Sequence, residues 1–174
     1  GGATTWRPFE HAGGGGVCVA PALCPNVGDV CDDGNPATTN DPIFAGFRLD
    51  SSTELCHALY VANDNQGINV RWKTSSGVDD ITNDSLEDGR INDNQIANST
   101  TFPAFKLCKD LSDGGYSDWY LPATDELHIL WKNRAAINTN SINPFDEGSN
   151  YWSSSEVSSD THLAWPQHFG YGGN

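Results

Sequence analysis

Five cysteines, Cys18, Cys24, Cys31, Cys56 and Cys108, constrain this chain more than any other feature. None stands in the paired CxxC spacing of a zinc ribbon. With no methionine and much Asn and Thr around them, they read as disulfide formers in a secreted setting. An odd count leaves one thiol over, and two bridges drawn from five cysteines allow about fifteen arrangements, among which sequence does not choose. The pairing we carry forward is Cys24 with Cys31 and Cys56 with Cys108, with Cys18 as the orphan.

A length of 174 residues suits one well-cored domain with an appended segment. Residues 1–23 read as that segment, irregular and without a sustained period of 2 or 3.6, and residues 24–174 as the domain. Irregular text with prolines and a Gly13–Gly16 run persists to about residue 42. Against nine Lys and Arg stand 23 Asp and Glu, a net charge of −14 that repels phosphate backbones and anionic membranes. Nucleic acid is therefore excluded as a partner. No stretch approaches the ~20 apolar residues of a membrane-spanning helix, so no membrane insertion is expected. Gly1 opens the chain without signal-peptide regions, as a processed or truncated form would.

Short apolar runs bounded by Asp, Asn and Gly at 43–47 and 58–62 read as buried strands, and Val70-Arg71-Trp72 as a third. Residues 75–98 carry many Asp and Asn and few apolar side chains, and read as a long surface excursion. Phe105, Cys108 and Leu111 recur at helical spacing before Gly114-Gly115, placing a helix near 102–112. In a second helix Leu127, Leu130, Trp131 and Ile137 share a face. Asp125 and Glu126 lie in its first turn, Lys132 and Arg134 in its last, and Thr124 is its expected cap. Strand-like text returns at 150–153 and 163–169. Two helices beside short antiparallel strands and long loops make a disulfide-stapled α+β domain.

The string Gly115-Tyr116-Ser117-Asp118-Trp119-Tyr120-Leu121-Pro122-Ala123-Thr124-Asp125-Glu126-Leu127 is followed by Tyr151-Trp152-Ser153-Ser154-Ser155-Glu156 and by Ala164-Trp165 with Phe169. With Asn63-Asp64-Asn65-Gln66-Gly67 before Trp72, and Cys24-Pro25-Asn26-Val27-Gly28-Asp29-Val30-Cys31 upstream, this resembles the Legionella collagen-like protein C-terminal domain family. The resemblance implies a C-type lectin-like fold, similar to formylglycine-generating-enzyme-like domains, on bacterial surface proteins and pilin-like adhesins. It also implies a further cysteine-bearing strand beyond Asn174, whose absence would account for the orphan thiol. Ala123 departs from the Ser or Thr of the family's capping box, which moves the expected cap to Thr124.

Asp32, Asp33, Asn35, Asn40 and Asp41 form the densest oxygen cluster and would suit calcium, although Pro36 and the missing twelfth-position Glu rule out an EF-hand. The plainer reading is a solvated Asx-turn. A second acidic stretch, Asp79, Asp80, Asp84, Glu87 and Asp88, reads as a solvated loop. Trp119, Trp131, Trp152 and Trp165 read as core rather than as a sugar platform. If Trp165, Gln167 and Phe169 point inward with period 2, then Pro166, His168 and Gly170 point outward. With Tyr171 and the turn carrying Ser158, Asp160 and His162 they would form one C-terminal binding face, or else an ordinary polar edge. His162 and His168 lack the companions of a metal site. Lys106, Lys109, Lys132 and Arg134 make a local basic patch that would suit sulfated sugars.

No nucleophile elbow, His-Glu-x-x-His or phosphate loop is present, so the expectation is a non-enzyme. The function expected is extracellular recognition or adhesion, binding a surface glycan or protein through the C-terminal face. The alternative is a structural subunit of an extracellular filament or pilus, homo-oligomeric through its N-terminal segment. A glycosidase would need two carboxylates roughly 5–10 Å apart in a cleft, which nothing in the sequence marks.

Overall fold

The two short apolar runs after residue 42 pair with each other. β2 (Ile43–Leu49) and β3 (Cys56–Val61) form an antiparallel ladder that runs from Ile43↔Val61 to Leu49↔Cys56. The register shifts between Phe44 and Gly46, where φ at Gly46 is +128°, and a Cβ there would stand 2.9 Å from Asn133 Nδ2. Glycine therefore permits both the bulge and the approach of the helix above it, whose Asn133 donates to the Ala45 carbonyl at 2.8 Å. The computed structural model describes residues 18, 23–32, 34–36, 40–74, 84–96 and 100–171, and for 6–10, 161 and 162 the backbone alone.

A strand also forms inside the segment expected to be irregular: β1 (Trp6–Glu10) pairs antiparallel with β3, giving the sheet order β1-β3-β2. Pro8 interrupts the alternation that would mark it, yet proline is tolerated at a sheet edge. Residues Val70 to Trp72 form no strand; Trp72 is instead buried in irregular chain, edge-on to Phe102 at 5.4 Å. A second sheet is the hairpin of β4 (Asn150–Val157) and β5 (Asp160–His168). The domain is thus mixed α/β, with small antiparallel sheets.

Among the described residues three helices accompany the sheets, one more than expected: α1 (Gly89–Asp93), α2 (Pro103–Lys109) and α3 (Thr124–Asn138). Leu127, Leu130 and Ile137 of α3 are fully buried against Ile43, Leu59 and Val61, with Tyr151 and Phe169 closing the cluster from the second sheet. Because α3 continues to Asn138, Lys132 and Arg134 fall short of its last turn. Its N-cap is Ala123 in extended conformation, and Thr124 is already helical. With no cap hydroxyl available, half of the capping box survives: Glu126 Oε2 accepts the Ala123 N–H at 3.0 Å. A second cluster gathers Trp72, Phe102, Phe105, Cys108, Leu121 and Ala164.

One expected disulfide is present and the other is not. Cys24 bridges Cys31 as read from the sequence, but Cys56 bridges Cys18, with a Cα separation of 5.3 Å, and not Cys108. Cys108 stays a fully buried thiol on α2. It packs in the second apolar cluster, whereas Cys56, at the start of β3, is already bonded to Cys18. Burial first, then the charge of Asp93, pushes its thiol well above the usual range, so it is a poor nucleophile.

The stretch read as a surface excursion holds the largest departure. Asp88 and Asn92, at either end of α1, are buried. The Asn92 amide donates to Ser85 O at 2.8 Å and Ser154 Oγ at 3.0 Å, and its carbonyl accepts from Ser85 N at 2.7 Å. Beside it Arg48, 3% exposed, reaches Asp88 at 3.0 Å and Glu126 at 3.5 Å. Glu126 is fully buried, and accepts from Gly89 N at 3.0 Å and Tyr120 OH at 2.8 Å. This polar junction locks α1, β2 and the start of α3 together.

Candidate functional site

The β4–β5 hairpin carries the residues singled out as a binding face. Trp152 pairs with Pro166 and Glu156 with Ala164, so Ser153, Ser154 and Ser155 stand opposite Trp165 alone. The three serines turn into the protein with no exposure; Ser154 N donates to Pro122 O at 2.7 Å, and Ser155 Oγ to Ser85 O at 2.8 Å. This bulge re-aims the strand, as bulges do beside functional surfaces.

In consequence the expected single face is divided. Gln167 and Phe169 point inward as read, but Trp165, expected in the core, is 37% exposed. Ala164, on the side expected to face solvent, is buried against the second apolar cluster. Ser158 and Asp160 are exposed at the hairpin tip, the side chain of His162 lies outside the described residues, and Leu163 and Trp165 continue the tip as exposed apolar side chains. Pro166 is half-buried beside Trp152. His168 and Tyr171 form a second, distinct place at the end of β5.

That second place is the better defined. Phe169 N is bonded to Ser149 O at 3.1 Å, and Trp131 Nε1 donates to Phe169 O at 3.1 Å, which fixes the end of β5 between α3 and the 146–149 turn. The chain then curls back. Gly170 N and Tyr171 N both donate to His168 Nδ1, at 3.0 and 3.4 Å, and the Tyr171 ring stacks on the imidazole at 3.8 Å and 17°. A Cβ on Gly170 would meet the Glu147 carbonyl at 2.7 Å, so only glycine allows this curl. Tyr171 is nevertheless 76% exposed. Asp146 stands near His168. The Ser149 hydroxyl, then the Gly148 amide, hold its carboxyl below the usual range, so it is ionised at neutral pH.

The other candidate places converge less. Asp32 accepts from Gly34 N at 2.6 Å in an Asx-turn, Asn40 sits at φ 60°, and Asp33 lies outside the described residues. Among the described residues no group of three His, Cys, Asp or Glu converges as a metal site. In the second acidic stretch Asp79 and Asp80 lie outside the described residues, Asp84 accepts from Glu156 N at 3.1 Å, and Glu87 accepts from Ser51 Oγ at 2.7 Å. Of the basic patch, Lys106 pairs with Asp110, and Lys109 donates to Asp93 O and Ile96 O at 2.9 and 3.2 Å. Arg134 lies over the Trp131 ring at 5.2 Å. An open cleft of about 650 Å³ between α1, α2 and residues 117–120 is lined by Arg90, Asp93, Lys109 and Asp118 among others. Asp88 holds Arg90 and Asp93 holds Lys109.

A family model, the Lcl C-terminal domain, matches residues 48–174. This chain belongs to the Lcl C-terminal domain family. The match spans α1, α2, α3 and the β4–β5 hairpin, hence every residue of the β5-end site. No curated protein and no solved structure matches the chain. Membership of the Lcl C-terminal domain family, together with two disulfides, points to an extracellular or surface-related protein. Among the described residues no helix is long and apolar enough to cross a membrane.

Proposed function

We propose that this Lcl C-terminal domain is an extracellular recognition and adhesion module, without catalytic activity of its own. It would bind a glycan through the C-terminal end of β5, on a C-type lectin-like scaffold. The observation that carries this reading is Tyr171, an aromatic ring 76% exposed yet held in place by its stack on His168. An exposed ring that is already ordered loses little entropy when a ligand covers it. Asp160, Ser158 and Trp165 at the hairpin tip offer a second, separate contact.

The test is a glycan-array and host-surface binding screen of the chain beside Tyr171→Ala, with calcium and with chelator. Selective binding that Tyr171→Ala abolishes supports the reading. Chelator sensitivity would assign calcium to the loop of Asp32, Asn35, Asn40 and Asp41. No binding under any condition overturns the reading, and favours a structural subunit of a filament or pilus. One observation supports that second reading: β1 is added at the open edge of β3 by backbone pairing, a mode that a neighbouring chain can also use. Concentration-dependent polymers of the chain would decide for it.

A further inference from the structure

A helix of five residues does not hold its own shape in water, so α1 keeps its place only through what binds it. Asn92 ties it to Ser154 Oγ at 3.0 Å, and Asp88 to Arg48 at 3.0 Å. From α2, Lys109 Nζ lies 2.9 Å from Asp93 O, 3.2 Å from Ile96 O and 3.3 Å from Asp93 Oδ2, three oxygens for the three hydrogens of an ammonium. Arg90 forks onto Asp88, Nε to Oδ1 at 3.2 Å and Nη2 to Oδ2 at 2.9 Å. The wall that α1 and α2 give to the cleft of about 650 Å³ is therefore set before any ligand arrives. That volume falls within the roughly 300–1,000 Å³ usual for small-molecule sites.

Charge decides what fits there. Arg90 and Lys109 line the cleft with Asp93 and Asp118, two cations against two carboxylates, and both cations already face a carboxylate of the fold. On a chain of net charge −14 this is a nearly neutral place, with no spare cation to draw an anion. Among the described residues no three acidic, His or Cys groups converge to hold a metal ion. Asn94 and Ser117 are exposed on the same lining, and neither side chain has a hydrogen-bond partner among the described residues. An amide and a hydroxyl each donate and accept, as sugar hydroxyls do. We propose that this cleft is a second carbohydrate subsite, which takes one uncharged sugar unit through hydrogen bonds of its hydroxyls to the Asn94 amide and the Ser117 hydroxyl. None of the lining residues belongs to β5, so this subsite and the β5-end reading share a ligand class and can fail separately.

The experiment titrates the full, 15N-labelled chain by NMR with the methyl glycosides of glucose, galactose, mannose and N-acetylglucosamine, and with methyl glucuronide as the anionic probe. At least one neutral glycoside should move the amides of Asn94 and Ser117 and the indole N–H of Trp119, which lines the cleft and donates to Tyr116 O at 3.2 Å. The same shifts should persist in Tyr171→Ala. Affinity should fall about tenfold in Asn94→Ala and about tenfold in Ser117→Ala, the weight of one hydrogen bond each. Both side chains are exposed, and an unchanged spectrum away from the cleft confirms that the fold is kept. The glucuronide should bind more weakly, and Asp118→Asn should narrow that gap. Cleft signals that stay still with all four neutral glycosides, a preference for the glucuronide, or wild-type affinity in the Asn94→Ala, Ser117→Ala double variant each overturns the proposal. Shifts confined to Tyr171 and its neighbours sink this inference and leave the β5-end reading standing, whereas cleft shifts without any at Tyr171 do the reverse.

Discussion

The apolar core beneath α3 and the polar junction around α1 are both buried, yet they are built on opposite rules. In the first, Leu59, Leu127, Leu130 and Ile137 need only be apolar and of suitable volume. In the second, Arg48, Asp88, Asn92 and Glu126 are held by named donors and acceptors, and a change of one atom leaves a partner unsatisfied. The comparison teaches that this domain takes its bulk stability from one place and its loop positions from another. The junction sits where the chain has little regular structure to fix it.

The sharpest way to break the comparison is Arg48→Ala, which takes the guanidinium from buried Glu126, leaves Asp88 to Arg90 alone, and should cost about 3–5 kcal/mol in denaturant unfolding. Leu130→Ala, in the apolar core, should cost about 2–5 kcal/mol, and Leu130→Met under about 1.5 kcal/mol. A conservative replacement in the junction has no such refuge. Asn92→Asp keeps the shape but turns the donor to Ser154 into an acceptor, and should cost more than Leu130→Met does. If Asn92→Asp proves the milder of the two, the distinction drawn between the regions fails.

The junction should also titrate, which an apolar core cannot do. Burial, and then the charge of Asp88, raise the Glu126 carboxyl from its ordinary 4.5 to about 7. Its folded pKa lies above the unfolded one, so this contribution is fully present below about pH 4.5 and is lost as pH rises through 7. The loss is on the order of 3 kcal/mol. Asp88 works the other way. Burial opposes it, but the hydrogen bond and charge of Arg90 and the charge of Arg48 prevail and lower its carboxyl from 3.8. Its contribution is lost as pH falls below that value. Stability should therefore peak in mildly acid solution, and Glu126→Gln should flatten the fall between pH 5 and 8. A stability curve that rises from pH 5 to 8 in the wild type would contradict this account.

Smaller still, Tyr171→Ala touches neither region and should change stability by less than about 0.5 kcal/mol while removing binding. The disulfides offer a covalent check. Alkylation of the unfolded, unreduced chain should label Cys108 alone, and recovery of a peptide joining Cys56 to Cys108 would overturn the bridge between Cys18 and Cys56.

Much of the apolar architecture was legible. The face of Leu127, Leu130 and Ile137, the runs that became β2 and β3, the β4–β5 hairpin and the local Cys24–Cys31 bridge all follow from patterns within a few residues of each other. The site was legible only in part. His168 and Tyr171 were singled out, but the exposure of Trp165 and the burial of Ala164 were not, because three inward serines on β4 oppose a single residue of β5. A period of 2 read along one strand cannot register an insertion in its partner. α1 was missed because Asp88, Gly89 and Asn92 look like loop residues, and the signal that they are buried lies in Arg48, Glu126 and Ser154, far along the chain.

Sequence alone determined the class of this protein: a strongly acidic charge balance, cysteines fit for an oxidising compartment, and the motifs that place it in its family. Tertiary structure decided which cysteines meet, which carboxylates are buried and which serines of β4 turn inward. The physical reason is range. Apolar periodicity is written into neighbouring residues, whereas the bridge from Cys18 to Cys56 or the ion pair of Arg48 with Asp88 exists only once distant segments have been brought within a few ångströms.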